Sequence, residues 1–344
     1  MPQSHQPFVF GIYPGGEAGS DDGMASGPAG DPARIEEALT ALAGNSSPFI
    51  VRAYERFSDA DAPSRWPRQT PENYAQYLRP GRLLDLVVMF QSKSGDVAGF
   101  LDFLRQLIRK YEKHLYSIQV TEEANFASGP DCIDGPWPRV LEALVEGVKA
   151  AKQEALRRGL SEIRVGFNST PTFGEPANFW NAIGALGGAS FIASLDYVGL
   201  DFFPDVFQPA PDLRAAVLGV IETMRNSWLP AAGIPATVPI HVAENGWPTG
   251  PARSFEQQGA VLETIVRTIA EFREKYNIDR YTMFSLRDSE SFAPELEQNI
   301  FYHFGLMRSD YTPKPAFETY RRLIAEFGSC KPPLQRLQPA IDSL

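Results

Sequence analysis

The sequence predicts a single (β/α)8 barrel, and three observations carry that expectation. Eight apolar runs of strand length alternate with amphipathic helical stretches, the order expected of a parallel sheet with helical crossovers. A chain of 344 residues is ordinary for one such barrel with long loops. The competing doubly wound sheet needs a glycine-rich phosphate turn leading straight into a helix after its first strand. Here Gly15-Gly16-Glu17-Ala18-Gly19 has the wrong spacing and no helix directly behind it, so it reads as a flexible loop.

The expected strands are Phe8 to Tyr13, Phe49 to Tyr54, Leu83 to Phe90, Tyr116 to Thr121, Ile163 to Phe167, Tyr197 to Phe203, Ile240 to Ala243 and Tyr281 to Leu286. Between them, Asp31 before Pro32 is an N-cap followed by proline at the first helical position, opening a helix through Leu42. Val97, Leu101, Leu104 and Ile108 recur at helical spacing and form one apolar stripe. A helix is expected from about Trp137 to Arg158, with Leu141, Leu144, Val148 and Ala151 inward and Gly159 as C-cap. Ser254 and Gln257 form a capping box ahead of Leu262, Ile265, Val266 and Ile269. The barrel is expected to occupy residues 1–328, and the proline-bearing stretch 329–344 to be an extended tail.

Composition narrows the function. The formal charge of -10 repels a phosphate backbone, so nucleic acid is not an expected partner and an uncharged ligand such as a sugar is. Cys132 and Cys330 are too few and too far apart for a disulfide framework or a zinc site. His5, His114, His241 and His303 have no metal-ligand spacing, so neither a catalytic metal nor a cofactor is expected. No signal peptide is visible and no long uncharged apolar run occurs, which predicts a cytoplasmic protein without a membrane partner. Oligomeric state is left open.

In a barrel of this kind active sites form at the C-terminal ends of the strands. Two glutamates stand there. The fourth run is followed by Glu122-Glu123-Ala124-Asn125, and the seventh by Glu244-Asn245-Gly246-Trp247-Pro248-Thr249. These residues resemble clan A of the glycoside hydrolases, retaining β-glycosidases in which strand four ends in Asn-Glu-Pro and strand seven in the nucleophilic Glu. The Glu-Asn-Gly-Trp-Pro-Thr run is nearest to the plant endo-β-glucanase type. Val198 to Pro204 is similar to that clan's strand six, and Phe304-Gly305-Leu306 through Pro313 to Phe317 resembles its last loop and helix.

The resemblance implies a retaining O-glycosyl hydrolase with Glu244 as nucleophile and Glu123 as general acid/base, acting on a β-linked oligosaccharide or glycoside. Such enzymes hold the two carboxyls about 5 to 5.5 Å apart, and neighbouring negative charge keeps the acid protonated. Because adjacent strand residues point oppositely, only one of Glu122 and Glu123 is expected to share a face with Glu244. Arg52 is implied as a donor to the nucleophile, with Tyr54 as the alternative inward residue. Trp247 is either a stacking platform for a pyranose ring or a loop-packing indole. Asn125, Asn168, Phe203, Arg287 and Asp288 join Glu122 as candidate substrate contacts, and Gln91 and Asp201 also follow apolar runs.

The sequence departs from the clan's pattern at several of these positions. Glu122 stands at the clan's Asn, which holds the sugar 2-hydroxyl, and Ala124 at its Pro. Phe203 replaces a Tyr, and Phe284 to Asp288 lacks the strand-eight Trp. A second reading is therefore a barrel that binds carbohydrate but has lost catalysis. An unrelated lyase or aldolase would need a strand-end lysine, for which Lys93 alone is available.

Overall fold

Each barrel strand is a short apolar run that hydrogen-bonds to its neighbour in chain order, and the first strand pairs with both the second and the eighth, closing the sheet. In this computed structural model the strands are Val9–Ile12, Phe49–Phe57, Arg82–Phe90, Leu115–Val120, Arg164–Ser169, Tyr197–Asp201, Ile240–Asn245 and Ile278–Met283. The structure describes residues 8–20, 23–171 and 176–328. Within them the expected (β/α)8 barrel is present. The expected tail at 329–344, together with Cys330 and His5, lies outside the described residues.

Helices Pro32–Ala43, Val97–Tyr111, Val140–Arg157, Pro176–Ile192, Leu213–Thr223, Phe255–Tyr276 and Pro315–Phe327 follow strands one and three to eight. The second crossover has only the single turn Tyr74–Tyr77. The expected caps form: Asp31 Oδ1 accepts from Ala33 and Arg34 N, and Ser254 and Gln257 make the reciprocal box. The third helix begins at Val140 rather than Trp137, because Arg139 sits in the left-handed region with φ 61° and starts the helix only after itself. Outer strand residues such as Leu86 and Val88 and helix residues such as Phe100 and Leu104 belong to one continuous buried cluster.

The largest displacement from expectation is the eighth strand, which runs over Ile278–Met283 instead of Tyr281 to Leu286. Asp279 and Arg280 disguised its start as a loop. Both are buried within the strand, where Arg280 Nη2 bonds Asp85 Oδ2 at 2.8 Å and Nη1 bonds Ser117 Oγ at 2.7 Å. The barrel interior is thus partly ionic, and charge in a strand marks the inner face rather than its end.

Candidate active site

The mouth of the barrel opens into a cavity of about 590 Å³ lined by residues at the C-terminal ends of the strands, among them Tyr13, Tyr54, Glu122, Glu123, Glu244 and Phe284. Arg52 and Tyr54 are two apart in the second strand, so their side chains share the inner face. Both reach the end of the seventh strand. Glu244 Oε1 accepts the Tyr54 hydroxyl, Arg52 Nε at 3.3 Å and Arg52 Nη2 at 3.2 Å. Burial, together with the charges of Glu244 and Glu122, raises the Tyr54 pKa well above that of a free phenol, so it keeps the proton it donates. Burial opposes the charge on Arg52, but Tyr54, Glu244, Asp85 and Glu122 around it outweigh burial and hold it cationic.

Arg52 is the hub of the floor. Its Nη1 donates to Asp85 Oδ2 at 2.7 Å and Gln119 Oε1 at 3.0 Å, and its Nη2 also lies 3.5 Å from Glu122 Oε2 and 3.8 Å from Asp201 Oδ2. Glu122 Oε2 takes a further bond from Gln119 Nε2 at 2.6 Å. One guanidinium nitrogen therefore touches carboxylates from the ends of strands four, six and seven.

The expectation that only one of Glu122 and Glu123 faces Glu244 is overturned. Both line the cavity. The strand has ended at Val120, and Thr121 and Glu123 take left-handed conformations with φ 66° and 47°, which breaks the alternation of a pleated strand. A β-branched residue at such a φ is strained and persists only where its surroundings over-determine it. Here Glu122 N donates to Asp134 Oδ2 at 2.8 Å and Glu123 N to Asn168 Oδ1 at 2.9 Å, so each backbone N–H is fixed by a buried side chain.

Three carboxyls at this mouth are pushed toward the neutral form. Burial, then the charges of Glu244 and Asp201, raises Glu122 well above the usual carboxylate range. Burial, then Asp201 and Glu244, does the same to Glu123. Burial and Glu244 push Asp201 up to about 8. Glu123 differs from Glu122 in pairing with no cation among the described residues and in being half-buried rather than buried at the cavity, which leaves it accessible for proton transfer. One carboxylate oxygen each of Glu122, Glu123 and Asp201 lies within 4.8 Å of the others, so this trio is where a metal ion could be held.

The remaining candidates are placed as follows. Phe203 lines the cavity, edge-on to Phe304 at 5.7 Å and Phe284 at 6.3 Å. With Tyr13 stacked on Phe284 at 5.2 Å, these rings make an aromatic wall suited to sugar C–H faces. Asn168 links the fourth strand end to Asp201, to which its Nδ2 donates. Asn125 clamps Thr170, donating to its carbonyl at 2.6 Å and accepting from its N–H at 3.0 Å. Trp247 is buried with its Nε1 on Asp205 Oδ2 at 3.2 Å and Arg253 over its ring at 4.9 Å, the geometry of a loop-packing indole. Arg287 is buried against the Pro28 carbonyl at 2.7 Å, and Asp288 is held by Lys314 Nζ at 2.7 Å and Gly305 N at 2.9 Å. These last three are not on the cavity wall.

Sequence reasoning missed Gln119 and gave Asp201 little weight. The signal was present in Ser117-Ile118-Gln119-Val120-Thr121, where polar residues at every second position mark one face turned to a polar barrel interior.

No family model and no curated protein matches this sequence. Among solved structures it is similar to a family 2 β-galacturonidase from Eisenbergiella tayi bound to galacturonate, at 11% identity over 94% of this chain and 52% of that one, with a TM-score of 0.59. It is similar to a β-glucuronidase from Ruminococcus gnavus in complex with D-glucuronic acid, at 14% identity over 92% of this chain and 48% of that one, TM-score 0.55. It is also similar to a family 39 glycoside hydrolase from the gut symbiont Bacteroides cellulosilyticus WH2, at 14% identity over 92% and 63%, TM-score 0.59. The chain spans about half the length of the first of these. At such identities the likeness establishes the fold: the chain has the (β/α)8 barrel architecture that these glycoside hydrolases share.

Proposed function

We propose that this chain is a retaining O-glycosyl hydrolase that cleaves a β-glycosidic bond by double displacement. The observation that carries the reading is the pairing at the mouth. Glu244 is surrounded by donors from Arg52 and Tyr54, while Glu123 on the opposite strand end is driven toward its protonated form. A carboxylate held by fixed donors across from a carboxyl driven toward its protonated form is what a nucleophile and a general acid require.

In the first step Glu244 attacks the anomeric carbon as Glu123 passes its proton to the departing oxygen. A covalent glycosyl ester forms and the leaving group departs neutral. Glu123, now ionised, takes a proton from water, and the resulting hydroxide displaces Glu244 with net retention. Arg52 and Tyr54 stabilise the carboxylate both before attack and on release. The aromatic wall of Tyr13, Phe203, Phe284 and Phe304 would hold the sugar's apolar face. The narrower likeness to the plant endo-β-glucanase type rests on the Glu-Asn-Gly-Trp-Pro-Thr motif.

The test is turnover of a panel of aryl β-glycosides, with the anomer of the first-formed product read by NMR. The reading expects a β product, loss of at least about 10⁴-fold in Glu244→Ala, and a β-glycosyl azide when azide is added to Glu123→Ala. An α product, or activity surviving Glu244→Ala, would sink it. If azide rescues Glu122→Ala instead, the acid role passes to Glu122. Sugar binding without turnover of any substrate would favour a carbohydrate-binding barrel.

A further inference from the structure

The aromatic wall runs on past the part of the cavity that one sugar ring needs. From Phe203 and Phe304 it continues to Phe207, 6.1 Å from Phe203, and to Phe301, 6.2 Å from Phe207 and 6.3 Å from Phe304. Pro204, Ala210 and Val220 line the cavity beside these rings, and the loops after strands one and four add Met24, Phe126 and Ile133. Phe207 is 53% exposed. Its loop is nevertheless fixed. Asp205 Oδ1 accepts from Ala210 N at 2.9 Å and Oδ2 from Trp247 Nε1 at 3.2 Å, while Arg253 Nη2 donates to the Asp205 carbonyl at 3.1 Å and the Val206 carbonyl at 2.9 Å. A phenyl ring clamped in water at a cavity rim costs free energy that the apolar surface of a ligand recovers.

Polar groups are scarce on this wall. Of the lining residues that follow strands six and eight, only Asp205 and Gln208 have polar side chains, and both oxygens of Asp205 are already taken. A second sugar would bring a ring of hydroxyls with few fixed partners, whereas an aryl or alkyl group meets apolar surface throughout. Beneath Glu244 the barrel is filled by Arg52, Asp85 and Gln119, all fully buried. With the sugar ring at Glu244, the group on its anomeric oxygen therefore extends outward along the rings.

We propose that the site takes a β-glycoside with an apolar aglycone, aryl or alkyl, seated on Phe203, Phe207 and Phe301, in preference to a sugar chain. The hydrolase reading supplies the position of the sugar ring at Glu244, and the apolar seat is independent of it.

The experiment has two arms on the full chain. In the first, fluorescence titration measures binding of 2-naphthol, an aglycone without a sugar, to the wild type and to Phe207→Ser, a change that leaves no core cavity because the ring is exposed. Saturable binding is expected, weakened at least about fivefold in the variant. In the second, turnover compares the methyl, butyl and octyl β-glycosides of the sugar selected by the aryl panel with its β-linked disaccharide. The alkoxide leaving groups have similar basicity, so differences report contact with the wall. Here kcat/KM is expected to rise at least about tenfold from methyl to octyl, with the disaccharide below octyl and the rise reduced in Phe207→Ser. No naphthol binding, equal binding by Phe207→Ser, or a disaccharide cleaved better than the octyl glycoside overturns the proposal. Naphthol binding weakened in Phe207→Ser without turnover of any glycoside would count against the hydrolase reading while keeping the apolar seat. Turnover that favours the disaccharide would do the reverse.

Discussion

The two ends of this barrel bury the same kinds of charged residue with opposite results. Toward the N-terminal end, Asp85 lies between Arg280 and Arg52, and Asp279 lies 2.9 Å from His241 Nε2 with Arg164 Nη1 also donating to it. Burial works against both carboxylates, yet the flanking cations outweigh it and hold each below the usual range. At the C-terminal mouth Glu122 and Asp201 share one guanidinium with Glu244, Glu123 beside them pairs with no cation among the described residues, and burial wins. The local ratio of cations to carboxylates, not burial itself, separates a structural ion pair from a reactive group.

Ways to break that comparison run from large effects to small. Glu123→Gln should lower kcat by about 10²–10⁴-fold on substrates with poor leaving groups, since proton transfer is lost. The wild-type rate should fall as pH rises and the raised Glu123 carboxyl loses its proton. That limb should be missing in the variant, and a wild-type limb unchanged by the substitution would assign the acid elsewhere.

At the matched end, Asp85→Ala leaves Arg52 and Arg280 without their common partner and should cost about 3–5 kcal/mol in denaturant unfolding. A loss under 1 kcal/mol would show that these pairs do not carry the structural burden assigned to them.

His241 sharpens the same end. It is buried and stacked on Tyr197 at 3.9 Å, and burial lowers its pKa to about 4. The unfolded chain, with an ordinary pKa near 6.5, binds more protons between these values. The contribution is therefore complete above about pH 6.5 and is lost as pH falls toward 4, by up to about 3 kcal/mol. Urea midpoints at several pH values should show this slope, and His241→Gln should flatten it.

The mouth predicts the reverse sign. Asp201 is raised to about 8, so its proton is retained on folding, and its contribution is present below the ordinary carboxylate pKa and lost as pH rises toward 8. Asp201→Asn should gain about 1–2 kcal/mol at pH 8 relative to pH 5 while impairing activity, as substitutions that relax functional strain do. Equal stability changes at both pH values would remove the contrast between the ends.

Among the described residues no helix is long and apolar enough to cross a membrane. Much of the architecture was legible without coordinates. Eight runs of strand period, the Asp31-Pro32 and Ser254 to Gln257 caps, and glutamates directly after runs four and seven are local patterns, and hydrophobic periodicity and capping act over a few residues. Local pattern was misleading where tertiary contacts repaid a local cost. Asp279 and Arg280 entered a strand because Arg164, His241, Asp85 and Ser117 meet them across the barrel. Glu122 and Glu123 came to face one cavity because Asp134 and Asn168 hold a left-handed turn that no propensity favours. Trp247, Arg287 and Asp288 follow strand ends as the reactive groups do, yet closure of the loops packed them against Asp205, Pro28 and Lys314. The sequence determines which groups are available at the mouth. Which of them stay unpaired there is decided by charge balance among residues far apart in the chain, and that balance exists only once the barrel has closed.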